Sequence, residues 1–144
     1  MGKVVSVNVS ERKHVKKKPV AEVILRENFG VEGDSHAETA SERQVSLLAV
    51  ESIEKMRNRG LDVGPGDFAE NITTEGIPLP RLPVGTRLIC GEAVLQVTRI
   101  GKDCHEPCAI FRQAGECVMP SEGIFARVLA GGAVRPGDPV ETGA

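Results

Sequence analysis

Thr86-Arg-Leu-Ile-Cys-Gly-Glu-Ala-Val-Leu-Gln-Val-Thr-Arg-Ile100 is the stretch on which the fold reading turns. Two runs rich in aliphatic and β-branched residues, Thr86 to Cys90 and Ala93 to Ile100, flank Gly91-Glu92. A two-residue break of that kind predicts a β-hairpin. Working outward, Lys3 to Ser10 alternates and is rich in Val, which predicts another strand. Val20 to Leu25, Gln44 to Leu48, Asn71 to Thr74 and Gly123 to Leu129 read as further strands. Val134-Arg-Pro-Gly-Asp-Pro-Val140 reads as a turn and a last short strand, with Gly131-Gly132 a turn before it. Only Val50 to Arg59 predicts a convincing helix: Val50, Ile53 and Met56 keep a 3.6-residue spacing, and Gly60 supplies a stop. Phe29 to Glu42 is polar and reads as an irregular loop, of the long kind that tends to carry function. Seven or eight short strands with one or two helices predict a mainly β fold. The expected form is a small, partly closed β-barrel with helices over its openings.

Composition agrees. The chain has 144 residues, which favours a single domain over 1–144. Its four Phe, with no Trp and no Tyr, leave the core to Val, Ile, Leu and Ala. Sixteen Gly and nine Pro suit many turns between short strands. A formal net charge of −2 gives no overall attraction to nucleic acid or to acidic membranes. No apolar run approaches a membrane span, and the first residues lack the apolar stretch of a signal peptide, so a cytoplasmic protein is expected. The basic run Lys13-His-Val-Lys-Lys-Lys18 reads as a solvated turn between strands or as a rim of positive charge facing an anionic ligand.

The chemistry concentrates late in the chain. Of four cysteines, Cys104, Cys108 and Cys117 crowd together, with His105 beside the first. In a compartment that keeps thiols reduced, crowding favours metal binding or reactivity over structural disulfides. A loose Cys-x3-Cys pair lacks the two tight pairs usual for structural zinc, although three thiols and His105 could supply four ligands. A reversible disulfide and buried inert thiols also stay open. The local charge favours a functional thiolate: Arg99, Lys102 and Arg112 lie close in sequence and would lower a thiol pKa. Pro107 holds the chain before Cys108 in a restricted geometry. Elsewhere His36, in Gly33-Asp-Ser-His36, is either a structural loop histidine or a donor to an oxyanion, with Asp34 placed to orient its ring. Arg43, near Gln44 and Ser46, is a surface charge or a planar donor fork for phosphate or a heterocycle edge. Asn71 offers donors and acceptors that suit a pterin edge as readily as a turn. No Walker loop, Gly-x-Ser-x-Gly elbow or His-Glu-x-x-His helix is present.

Taken in order, these segments resemble one family. Gly33-Asp-Ser-His36, Arg43-Gln-Val-Ser46, Phe68-Ala-Glu-Asn-Ile72, Leu82-Pro-Val-Gly-Thr86, Ile100-Gly-Lys-Asp-Cys-His-Glu-Pro-Cys108, Met119-Pro-Ser-Glu-Gly-Ile-Phe-Ala-Arg-Val128 and Pro136-Gly-Asp138 look like successive signatures of MOSC domains. That family is named for the C-terminal domain of molybdenum cofactor sulfurases. The resemblance spans essentially the whole chain and implies a β-barrel-like fold and a role with the molybdenum cofactor, a molybdenum–pterin. In reducing members a cysteine ligates the metal, and N-hydroxylated compounds are reduced. Sulfurases instead supply sulfur to the cofactor. By this resemblance Cys108 is the leading metal ligand and reactive thiolate, followed by Cys104 and Cys117. His36, Arg43, Ser46, Asn71, Lys102 and His105 are the expected cofactor contacts. One departure stands out: reducing members carry Arg two positions before the Asn, where this chain has Ala69. No pyridoxal phosphate domain is expected within the chain. The implied partners are a separate electron donor or a cysteine desulfurase, and a cofactor-biosynthesis protein. Three functions are therefore carried forward: a cofactor-binding protein, a persulfide carrier delivering sulfur to the cofactor or to a metal–sulfur cluster, and a non-catalytic zinc-stapled interaction module.

Overall fold

The computed structural model of the chain describes residues 2–11, 16–35, 37–101 and 122–143. Strand β1, Gly2–Val9, organises the sheet because it has partners on both edges. On one side it pairs antiparallel with β6, Ile72–Glu75, through a register shift between Val4 and Ser6. On the other, its start meets β11, Pro139–Thr142, and its end meets β2, Lys18–Val20. From β11 the sheet continues through β7, Arg87–Cys90; β8, Ala93–Ile100; β9, Ile124–Ala130; and β5, Val45–Ala49, back to β6. The β1–β11 pairing closes these seven strands into a barrel. Closure satisfies the backbone groups that an open sheet would leave at its edges.

The β7–β8 hairpin forms as its sequence requires, with Cys90 paired to Ala93 across Gly91-Glu92. Strands β5 and β6 run parallel, Leu47 beside Ile72. A parallel pair needs a crossover, and helix α1, Val50–Arg57, provides it. The helix carries Glu51 in its first turn and Lys55 and Arg57 in its last, matching the helix dipole. It ends two residues before the expected Arg59, and the chain then turns through Gly60, whose φ is +91°.

Two apolar clusters follow from strand alternation. The barrel interior packs Val4, Val7, Leu47, Ile72, Leu88, Leu95, Val97, Ile124, Val128 and Val140, all buried. Among the described residues no aromatic ring belongs to this cluster. Leu48 and Phe125, on the outer face, pack with Ile53 and Met56 of α1 and with Val63 and Phe68 of the following loop.

Four expectations need correction. Val20 to Leu25 is not one strand: the chain bends at the exposed Ala21-Glu22, and β3, Val23–Arg26, joins a separate small sheet. That sheet has the order β10–β3–β4, with β4 formed by Gly30–Val31 inside the segment expected to be wholly irregular. Gly131-Gly132 is not a simple turn, because Gly132 begins β10, Gly132–Val134. A Cβ on Gly132 would lie 2.7 Å from the Cβ of Glu92, so its bare backbone lets β10 pack against the β7–β8 turn. Finally, the described residues form eleven strands, α1 and a 3-10 turn at Leu79–Arg81 rather than the expected seven or eight strands, because pieces of two to four residues carry almost no periodic signal.

Candidate functional site

The outer face of β5, β9 and β8 gathers several of the residues singled out in the sequence. Ser46 of β5 stands opposite Phe125 of β9, and Phe125 stands opposite Arg99 of β8. Paired residues share a face of the sheet. Arg43, just before β5, lays its guanidinium carbon 5.5 Å from the centre of the Phe125 ring. The ring's electron-rich face attracts the cation and anchors it beside β5.

This face adjoins the stem from which segment 102–121 departs. Ile100 pairs with Ile124, and the Gly101 amide donates to the Gly123 carbonyl at 2.6 Å. Glu122, at the returning end, is fastened to α1: one carboxylate oxygen accepts from Ser52 Oγ and Lys55 Nζ, both at 2.8 Å. Lys102, Cys104, His105, Cys108 and Cys117 belong to the segment between, and they lie outside the described residues, as does His36.

The structure brings Ser46 and Asn71 together at the mouth of the parallel β5–β6 pair. Asn71 Oδ1 accepts from the Ser46 amide at 3.0 Å and lies 3.2 Å from Ser46 Oγ. The Asn71 amide donates to Ser46 Oγ at 3.0 Å, and Asn71 Nδ2 donates to the Asn8 carbonyl at 3.3 Å. Asn71 is 1% exposed and ties β5 to β1 as well as framing the face above. The turn that sets it there runs through Ala69, a non-glycine residue at φ +63°. The Ala69 carbonyl accepts from Ser46 Oγ at 3.2 Å.

Sequence reading missed the polar cluster behind this pair. Glu70 is wholly buried. Thr73 Oγ1 donates to Glu70 Oε2 at 2.8 Å, whereas Oε1 has no hydrogen-bond partner among the described residues. Burial pushes the Glu70 carboxyl above the usual carboxylate range, and the backbone amides of Gly66, Glu70 and Phe68 oppose that only in part. Asn8 Nδ2 donates to the Glu70 carbonyl and to Thr73 Oγ1, and Ser6 Oγ donates to Asn8 Oδ1 at 2.7 Å. The available signal was Ser6 and Asn8 inside a Val-rich strand, polar positions that a covered outer face would bury.

The basic run also divides. Lys16 and Lys18 are exposed, but Lys17 turns inward and its ammonium meets Asp34 Oδ1 at 2.7 Å, with both side chains fully buried. The Ser10 amide donates to the same oxygen at 3.0 Å, and Ser10 Oγ accepts from Lys17 Nζ at 3.2 Å. At Lys17 neither the solvated turn nor the charged rim holds. The carboxylate expected to orient His36 is engaged by Lys17. Cys90 is a buried free thiol in the barrel core. Burial, helped by nearby Asp138, pushes it up to about 12, so it acts as an apolar core residue. Among the described residues, no His, Cys, Asp and Glu gather into a group that could hold a metal. No helix of the described residues is long and apolar enough to cross a membrane.

Comparison with known proteins gives a consistent answer. The sequence profile of the MOSC domain matches residues 34–141. No curated protein matches the chain significantly in sequence. Among solved structures, the YuaD protein from Bacillus subtilis superposes with a TM-score of 0.80 at 20% identity, covering 99% of this chain and 96% of that one. YiiM from Geobacillus stearothermophilus superposes with a TM-score of 0.71 at 22% identity, over 100% of this chain and 76% of that one. For YiiM from Escherichia coli the values are 0.70 and 23%, over 100% and 70%. At such identities these likenesses speak for the fold.

Proposed function

The chain belongs to the MOSC domain family, and from that premise we propose that it binds a molybdenum–pterin cofactor, with the thiolate of Cys108 as ligand to the metal. The observation that carries this reading is the convergence of Arg43, Ser46 and Asn71 on the face beside the stem of the cysteine-bearing segment. The donor set fits the group in one respect above all: Arg43 is held over the Phe125 ring, and a guanidinium fork is suited to a phosphate or a pterin edge. Ser46 and Asn71 spend most of their hydrogen bonds on each other, so their part is to shape the floor of the site. Cys108, with Cys104 and Cys117 as the other candidate thiols, would supply the soft ligand, and His36, Lys102 and His105 further polar contacts. When bound, such a cofactor supplies two-electron oxygen-atom chemistry, and the protein supplies binding and orientation. The reaction classes that follow are reduction of N-oxygenated compounds, with electrons from a separate donor, and maturation of the cofactor together with a biosynthetic partner.

The test is expression in a cofactor-producing host, followed by elemental analysis and detection of oxidised pterin. The expected result is about one equivalent of molybdenum and of pterin, both lost in Cys108→Ser. Trace amounts of both in the unaltered protein would overturn the reading. The crowded thiols make a persulfide carrier the second reading. It gains if the metal is absent while the Cys108 peptide gains the mass of one sulfur atom after treatment with a cysteine desulfurase and cysteine. Stoichiometric zinc, with unfolding by chelator, would point instead to the stapled interaction module.

A further inference from the structure

A concavity lies on the barrel's outer wall, at the junction of β8, β9 and the loop before β5. It has a volume of about 270 Å³, and its polar lining is Asn28, Ser41, Glu42, Gln96, Thr98 and Arg127. Its groups are held in place from behind. Gln44, fully buried, donates from Nε2 to Asn28 Oδ1 at 3.1 Å and accepts from the Val128 amide at 3.0 Å. That fixes the Asn28 amide and leaves its NH2 edge without an acceptor among the described residues. Arg127 Nε donates to Gln96 Oε1 at 3.1 Å, which orients the guanidinium while sparing its terminal nitrogens. Thr98 Oγ1 donates to the Glu42 carbonyl and pins the backbone there.

Two further features set this concavity apart from an ordinary solvated dip. Asn28 and Ala40, both in its wall, are non-glycine residues at φ +52° and +64°. Such conformations cost free energy and collect where a fixed shape is needed. Arg127 and Glu42 face one space, yet they pair neither with each other nor, among the described residues, with any other ion. Opposite charges that share a small groove without meeting complement a ligand whose own charges are separated.

We propose that this groove binds a small zwitterionic molecule, its carboxylate or phosphate on Arg127 and the Asn28 amide, its amine or amidine toward Glu42. The groove continues the same outer face, with Glu42 next to Arg43 and Arg127 two residues from Phe125 on β9, and its test needs no bound cofactor.

The test uses the full chain and two-dimensional amide NMR, with β-alanine as the probe and propionate and propylamine as its two halves. Saturable shifts are expected at Asn28, Ser41, Gly85 and Thr98, with β-alanine at least about fivefold tighter than either half. Arg127→Gln is expected to abolish the propionate response and to weaken β-alanine about tenfold. Glu42→Gln should spare propionate and weaken β-alanine. Both side chains are exposed, so neither change threatens the fold. Arg81→Gln, an exposed arginine on the 3-10 turn outside the groove, should change nothing. The proposal is overturned by scattered shifts, by equal affinity for all three probes, by an Arg81→Gln effect equal to that of Arg127→Gln, or by no saturation up to about 50 mM.

Discussion

Glu70→Gln removes a titratable group from the buried cluster behind Asn71, and its effect should be visible as a change in how stability depends on pH. The unfolded chain releases the Glu70 proton near the ordinary 4.5, whereas burial raises the folded-state value above that. Between the two, the folded protein holds a proton that the unfolded chain has lost. Stability therefore falls as pH rises through this window, because the slope follows the excess of protons bound by the unfolded state, which is here negative. One fully displaced proton corresponds to a loss of about 1.4 kcal/mol per pH unit inside the window. Burial of the whole carboxyl group, with Oε1 lacking a partner among the described residues, is the structural source of that loss. Gln keeps an oxygen or an amide toward Thr73 Oγ1 but cannot ionise. The assay is urea unfolding of both proteins at steps from about pH 5 to about pH 8, comparing the slopes of stability against pH. The unaltered protein should lose stability more steeply than Glu70→Gln, and the two curves should converge toward acid pH apart from a constant offset. Parallel curves would refute the reasoning, since they would mean that Glu70 ionises alike in the folded and unfolded chain.

Other consequences follow from the same packing. Lys17→Met leaves Asp34 as a buried charge without its ammonium, so urea unfolding should show a loss of about 3–5 kcal/mol. Lys17→Met with Asp34→Leu should recover much of that loss, and a double variant no better than the single would count against the pair as the cause. Gly66 has φ +89°, and a Cβ there would run into the Lys17 carbonyl. Gly66→Ala should therefore lower the melting temperature by several degrees, on the order of 2 kcal/mol; an unchanged melting curve would show that this crossing is not tight. Cys90, with a thiol pushed up to about 12, should resist a thiol reagent at mildly alkaline pH until the protein unfolds. That is best measured in a variant with Cys104, Cys108 and Cys117 changed to Ser, and rapid labelling of its folded form would contradict the burial.

Much of the fold was legible because it is written in local repeats. The β7–β8 hairpin announces itself through two aliphatic runs and a two-residue break, and β5, α1 and β6 follow in order because an apolar run gives way to 3.6-residue spacing and then to a short strand. The small sheet of β10, β3 and β4 was not legible, since strands of two to four residues lack a period, and neither was the bend at Ala21-Glu22 that hands the chain from barrel to small sheet. Of the candidate site, Ser46 and Asn71 proved to be neighbours, and Arg43 shares their face through Phe125. Glu70 gives no signal in the sequence, because nothing local distinguishes a carboxylate that will be covered from one that will be solvated.

By itself the sequence determined a mainly β chain with an aliphatic-rich core, one helix after an apolar strand, and three thiols crowded within fourteen residues. Those properties depend on composition and on contacts between residues close in the chain. Only the tertiary structure decided that β1 closes on β11, that Lys17 turns inward while Lys16 and Lys18 stay in water, and that Glu70 loses its solvent. Each of these depends on which distant segment covers a given face. Burial by a remote loop sets the free energy of a charge far more strongly than do its neighbours in sequence.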